Sequence, residues 1–326
     1  MDRRTACASM VAIAAGHASG IRAQSARVLR VACVTLDAPA TDAPAMANFL
    51  RGMRERGYVE GRSLVVESYY AHGNVDRIVA QLPAIAATRP DAVVVLGGQL
   101  VRALKEAGFT LPVVFIYSGD PVEAKFAASF ARPGGNFTGV SLFMAELVTK
   151  RIEILREMLP RARRIAFIGW SRHAGVGVEV RVSLDAAKRA GMEANYLPAD
   201  NGADIAAAYD EAARTGAQAV FPFPDAVSLA AASAMSEYSR RHRMPTIAGW
   251  AEFTLQGNLM SYGPNREAVY AHLASFVDRI AKGAKAADIP IERPTVHEFV
   301  VNLKAARDLG ITIPPSILAR ASQAID

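Results

Sequence analysis

From residue 28 onward the chain repeats one pattern: a short apolar run, a break into small or polar residues, then a longer stretch with helical apolar spacing. Runs at 28–36, 63–70, 91–96, 113–117 and 138–141 read as strands, and the segments at about 43–56, 74–88 and 99–107 read as helices. Strands spaced by helices of this length make βαβ units, and such units build a parallel sheet covered on both faces. A helix at 146–159, closed by Pro160, interrupts the series, and then the rhythm restarts. Strands at 165–169, 194–197, 219–223 and 245–249 alternate with helices at about 176–190, 205–215 and 228–241. The expected fold class is α/β, with two doubly wound parallel-sheet lobes.

The tail is irregular: a strand and turn at 259–265, a long helix to 282, a polar connection at 285–294, a strand at 297–302 and a last short helix. Several passages between lobes fit this order better than one linker, and multiple crossovers form a hinge about which lobes rotate without separating. The first lobe is expected at 28–143 with about 260–286, the second at 144–259 with about 287–326.

In open α/β sheets the ligand lies beyond the C-terminal ends of the strands. That rule nominates Asp37, Tyr70, Gly98, Gln99, Ser118, Asp120 and Ser141 from the first lobe. From the second it nominates Trp170, Ser171, Phe223, Asp225 and Trp250. Asp120, followed by Pro121, is expected to cap a helix over 124–131, with free N–H groups pointed above the strand. Backbone N–H groups at Gln99 and Val122 suit a carboxylate, whereas Asp120 or Asp225 suits an ammonium or hydroxyl group. Both tryptophans stand just past strand ends, where aromatic walls with a few fixed polar groups make a small-molecule pocket. The plainer alternatives remain open: Asp120 as a helix cap only, either tryptophan packed under a loop, and structural roles for Tyr70, Ser118 and Ser171.

The formal charge of +6 is scattered, and its one dense group is Arg161, Arg163 and Arg164. No basic stripe or aromatic-interleaved patch marks a nucleic-acid partner. Residues 1–23 have Arg3-Arg4, an uncharged stretch and Ile21-Arg22-Ala23, the order of a secretory signal peptide, so export to the periplasm is expected. Cleavage there removes Cys7 and leaves Cys33 alone inside a strand, with no disulfide within the chain. The six histidines lack metal-ligand spacing, and no metal or cofactor is expected. G-x-S-x-G, Walker and H-E-x-x-H patterns are missing, and Gly97-Gly98 alone is too weak for a dinucleotide site. An enzyme using Asp120 and Asp225 as an acid/base pair is the rival reading, tested by turnover. A ligand-sensing receptor of the same fold is another; only about 27 residues precede the first strand, too few for DNA-binding helices.

GYVEGRSL at 57–64, GDPV at 119–122, ARPGGNFTG at 131–139, MSYGPN at 260–265 and NLKAARDLGITIPPSILARA at 302–321 occur in an order that resembles the ABC-transporter substrate-binding proteins of the tryptophan/tyrosine-binding type. The resemblance spans nearly all of the chain after Arg27. It implies a type I periplasmic binding-protein fold with three crossovers, a monomer, a small organic ligand enclosed between lobes by hinge closure, and an ABC permease as partner. Closure of that kind is driven only by the extra affinity of the closed form for ligand. The sequence departs from the family at three ligand-facing places. Gly97-Gly98-Gln99-Leu100 replaces a Thr-Pro or Ser-type helix start, Gly169-Trp170-Ser171-Arg172-His173 a Trp-Asn-Pro-type segment, and Ala248-Gly249-Trp250-Ala251-Glu252-Phe253 a Tyr-Gly pair before an acidic-Phe unit. The pocket is rebuilt, so an aromatic amino acid does not carry over as the ligand.

Overall fold

The computed structural model describes residues 27–36, 38–173 and 175–326. Asp37 and the expected signal peptide at 1–23 lie outside them. The first lobe runs β1 (Leu29–Thr35), α1 (Pro39–Glu55), β2 (Leu64–Tyr70), α2 (Val75–Ala87), β3 (Ala92–Leu96), α3 (Gly98–Glu106), β4 (Val113–Tyr117) and β5 (Phe137–Ser141). Its strands stand in the order β2-β1-β3-β4-β5, every neighbour parallel. Residues of β3 and β4 are almost wholly buried on both faces, which is why they read as unbroken apolar runs rather than alternating ones. Asn74 caps α2 by accepting the Asp76 N–H at 3.0 Å.

After α4 (Leu147–Met158) the second lobe lays down β6 (Arg164–Gly169), α5 (Val176–Arg189), β7 (Glu193–Pro198), α6 (Gly202–Arg214) and β8 (Val220–Pro222). Then come α7 (Ala226–Ala230), α8 (Ala232–His242), β9 (Ile247–Ala248), α9 (Ala251–Leu255) and β10 (Met260–Pro264). The parallel set β7-β6-β8 joins the set β9-β10-β11-β12 through a bridge between Val220 and Thr246. Within the latter, β11 (His297–Asn302) runs antiparallel to β10, so this sheet is mixed. The chain ends with α11 (Leu303–Leu309), α12 (Pro315–Leu318) and β12 (Gln323–Ile325), which pairs in parallel with β11 and was not anticipated from sequence.

The expected lobe boundaries shift at the tail. Met260–Pro264 pairs with β9 and β11 and so belongs to the second lobe, not the first. The following helix α10 (Arg266–Ala281) packs along α1, where Tyr58 donates its hydroxyl hydrogen to Asp278 Oδ1 at 3.0 Å. Between residue 286 and β11 the chain stays with the first lobe as an added edge: Ser141 N–H donates to Glu292 O at 3.0 Å, and Glu292 N–H to Gly139 O at 2.9 Å. His272 and Arg279 of α10 hold the Glu292 carboxylate at 2.6 and 2.7 Å. The chain thus passes between lobes after β5, after β10 and before β11, the multi-crossover hinge expected from the tail.

Candidate ligand cleft

The C-terminal strand ends of both lobes face each other across a cavity of about 500 Å³. Leu36 after β1, Leu96 through Gln99 at the β3–α3 turn, Ser118 after β4 and Leu142 after β5 form its first-lobe wall. Gly97 stands at φ +130°, a conformation open to glycine, and so lets β3 turn directly into α3. Gly98 and Gln99, the first residues of that helix, line the cavity, where unsatisfied helical N–H groups favour an anionic partner.

The second-lobe wall is built from side chains. Asp225 is buried, and its carboxylate accepts the backbone N–H of Ser228 (2.7 Å) and of Trp170 (2.9 Å) and the Ser228 hydroxyl (3.1 Å). It thereby caps α7 and pins the loop after β6. Burial pushes its carboxyl up to about 6, against the pull of those N–H donors. Trp250, 8% exposed, stands at the start of α9 with the Arg266 guanidinium 4.3 Å above its ring. Arg266 opens α10 of the first lobe; it donates to Glu252 Oε1 at 2.7 Å and to the Tyr270 hydroxyl, a hydrogen-bonded stack that crosses the hinge.

Three residues lining this cavity each carry one buried polar atom with no hydrogen-bond partner among the described residues: Gln99 Nε2, Trp250 Nε1 and Glu252 Oε2. Native interiors pair nearly all such groups, so donors and an acceptor left open on one cavity mark where a polar molecule belongs.

The structure separates the nominated residues. Gly98, Gln99, Ser118, Asp225 and Trp250 meet in the main cavity. Asp120 lines an adjoining chamber, and Trp170 lines an open groove further along the cleft under Arg172, whose guanidinium is 5.6 Å from its ring. Ser171 donates its hydroxyl and N–H hydrogens to Asp200, and Ser141 its hydroxyl to Gly119 O at 2.6 Å; both are structural bonds. Phe223 is core, stacked on Tyr196 at 5.5 Å. Tyr70 packs against His72 at the sheet edge and lines none of these spaces.

The helix expected after Asp120 is a single turn. Asp120 Oδ1 accepts the N–H of Val122 (2.7 Å) and Glu123 (3.2 Å), but Lys125 takes φ +60° and the chain leaves the helical path. Phe126 then buries itself against Phe115 and Tyr117, a core contact that outweighs extending the helix. Sequence reading missed His173, Glu179, Glu252, Arg266 and Tyr270. Arg266 directly follows the MSYGPN segment, and its position at the first turn of a long helix was the available signal. Among the described residues, no cluster of three or more His, Cys, Asp or Glu side chains could hold a metal ion.

A family model described as ABC transporter substrate binding protein matches residues 31–325. The chain belongs to that family. A tyrosine-binding protein of Clostridioides difficile (strain R20291) is 21% identical over 261 residues, covering 79% of this chain and 74% of the relative. A conserved domain protein from Vibrio cholerae O1 biovar El Tor superimposes with a TM-score of 0.84 at 24% identity, over 91% of this chain and 100% of that one. An ABC domain from Streptococcus pneumonia, solved in complex with L-Trp, gives a TM-score of 0.83 at 21% identity with the same coverages. The shared fold is the two-lobed α/β type of the periplasmic binding proteins, and the family is one of substrate-binding proteins.

Proposed function

We propose that the chain is the monomeric periplasmic solute-binding component of an ABC uptake transporter, and that it carries a small carboxylate-bearing organic compound in the main cavity. The observation that carries the ligand class is a pair of unpartnered N–H groups on lining residues of opposite lobes, Gln99 Nε2 and Trp250 Nε1, beside the first turn of α3 and the Arg266 guanidinium. Donors from both lobes reach one carboxylate only when the lobes are closed, so the ligand itself stabilises the closed form. The Trp250 face supplies an apolar wall for the ligand body. Relatives described as tyrosine-binding or holding L-Trp support an amino acid as the first class to test. No helix among the described residues is long and apolar enough to cross a membrane, in keeping with delivery to a separate permease.

The test is mass spectrometry of small molecules released on denaturing the purified protein, followed by a thermal-shift screen of amino acids, aromatic acids and sugars. A stoichiometric carboxylate that also raises the melting temperature is the expected result. A neutral sugar as the sole stabiliser would overturn the ligand class. Turnover of a bound compound would overturn the transport role in favour of an enzyme.

A further inference from the structure

Beside the main cavity lies a second chamber of about 360 Å³, and Ser118 and His173 line both. One wall is Glu179 on α5, 5% exposed. Its Oε2 is 3.7 Å from His173 Nδ1, beyond hydrogen-bond reach, and its Oε1 has no hydrogen-bond partner among the described residues. A buried carboxylate is costly unless a donor or cation meets it. The neighbouring guanidinium of Arg151 on α4 acts on Glu179 only through space: its Nε–H donates to Tyr262 O at 2.9 Å, its Nη2 has no hydrogen-bond partner among the described residues, and Arg151 lines neither chamber.

The other charged side chains of the chamber are mainly acidic. Asp120 and Glu123 follow β4 and Glu146 precedes α4, with Arg102 of α3 the one basic side chain in the lining. At the rim Arg181 reaches Glu123 and Arg293 reaches Glu146, each at 3.3 Å. The main cavity, by contrast, has Gln99 and Trp250 with unpartnered N–H groups, and its two carboxylates are already met, Glu252 by Arg266 and Asp225 by the N–H groups of Ser228 and Trp170. The second chamber is therefore the end of the cleft suited to a cation.

We propose, on the reading that this cleft holds the transported solute, that Glu179 is its cation subsite: a protonated nitrogen of the bound molecule, ammonium or guanidinium, enters the second chamber and ion-pairs with the Glu179 carboxylate. In the empty protein burial pushes the Glu179 carboxyl up to about 8; Arg151 opposes the shift and Asp225 adds to it. Burial thus favours the protonated form of Glu179 in the empty protein. An arriving cation reverses the preference, the carboxyl O–H bond breaks, and the proton leaves for solvent. His173 does not retain it, because burial first and Arg102 second push its imidazole down to about 4. The phenols of Tyr117 and Tyr196 are both raised by burial and stay neutral.

Isothermal calorimetry on the full chain tests this with two pairs of probes, L-lysine against L-norleucine and L-tyrosine against 3-(4-hydroxyphenyl)propanoate. Each pair is run near neutral pH in phosphate and in Tris, whose ionisation enthalpies differ. In at least one pair the member carrying the extra nitrogen should bind about tenfold or more tightly, with release of up to about one proton. In Glu179→Gln both the discrimination and the proton release should disappear. If that variant fails to fold, the buffer dependence of the wild type decides. Equal affinities within both pairs, discrimination that survives Glu179→Gln, proton-silent binding, or no binding of any probe at millimolar concentration would overturn the subsite. Trp250→Ala separates the levels. If it abolishes binding while Glu179→Gln changes nothing, the cleft stands and the subsite falls; if it leaves binding intact, the cleft reading falls as well.

Discussion

The two lobes bring different chemistry to the same cleft. The first offers backbone and small side chains: the Gly97-Gly98 turn into α3, Ser118, and the aliphatic ends of β1 and β5. The second offers bulky and ionisable groups taken out of water: Trp250, Asp225, His173 and Glu179, each less than a tenth exposed. Burial moves the carboxyls of Asp225 and Glu179 up and the His173 imidazole down. A wall made of backbone is fixed by the sheet beneath it and keeps its shape whether or not ligand is present. A wall of buried ionisable groups is costly to build, and the cost is recovered when a complementary molecule arrives. The first lobe is thus the rigid shelf and the second the discriminating face, with α10 carrying Arg266 from one to the other.

The largest expected effect tests the rigidity of the shelf. Gly139 in β5 holds φ +145°, and a Cβ there would overlap the backbone of Phe115 on β4. Gly139→Ala should lower stability by about 3 kcal/mol or more, read from urea melts. A loss under about 1 kcal/mol would show that the β4–β5 edge yields and that the shelf is not rigid. Next comes Trp250→Ala, which removes the aromatic wall, the open N–H donor and the ring under Arg266. We expect about a hundredfold weaker binding of whichever amino acid gives the largest thermal shift, while Ser118→Ala on the opposite wall stays within about threefold. Similar losses in both variants would erase the distinction between the lobes. Asp225→Asn comes third. One of the two accepting oxygens becomes a donor facing the N–H of either Ser228 or Trp170, so stability should fall by about 2 kcal/mol in thermal melts.

Much of the shelf could be read from the sequence, and little of the discriminating face. Parallel strands buried on both faces are continuous apolar runs, and their ends are marked by Gly97-Gly98 and Ser118-Gly119 in the linear chain. The face depends on side chains brought together from distant segments. Glu179 is the fourth residue of α5 and reads as an ordinary helix-start acid; only the fold places it under His173 with Arg151 behind. Ser141 and Ser171 show the converse: each stands at or just beyond a strand end, yet a local hydrogen bond uses up its hydroxyl. Strand ends identify positions, whereas the availability of a polar group depends on partners that periodicity does not reveal. The Asp120 turn failed for a related reason, because the burial of Phe126 decided the path of the chain and the capping signal did not.

Acidity and alkalinity should act on the discriminating face from opposite sides. Glu179 is raised from 4.5 to about 8, so its contribution to stability is fully present below 4.5 and is lost as pH rises through about 8. His173 is lowered from 6.5 to about 4, so its contribution is present above 6.5 and is lost as pH falls through about 4. The melting temperature of the unliganded protein should therefore decline toward both extremes. Glu179→Gln should flatten the alkaline arm alone, by at most about 1.4 kcal/mol per pH unit. An alkaline arm unchanged in that variant would place the responsible group elsewhere.

The smallest effect belongs to the one feature that looks like a clasp. Arg181 on α5 reaches across the cleft mouth to Glu123 at 3.3 Å, but the two side chains are 62% and 48% exposed. At that exposure water and salt screen the pair, and ordering two long side chains offsets most of what attraction remains, leaving under about 1 kcal/mol. Arg181→Ala should accordingly change ligand affinity by no more than about twofold, and less at high salt. A tenfold loss that vanishes when salt is raised would mean that exposed charge at the mouth, rather than the buried contacts of Trp250 and Gln99, holds the lobes together. The second lobe would then discriminate at its rim, and the contrast between shelf and face would have to be drawn there.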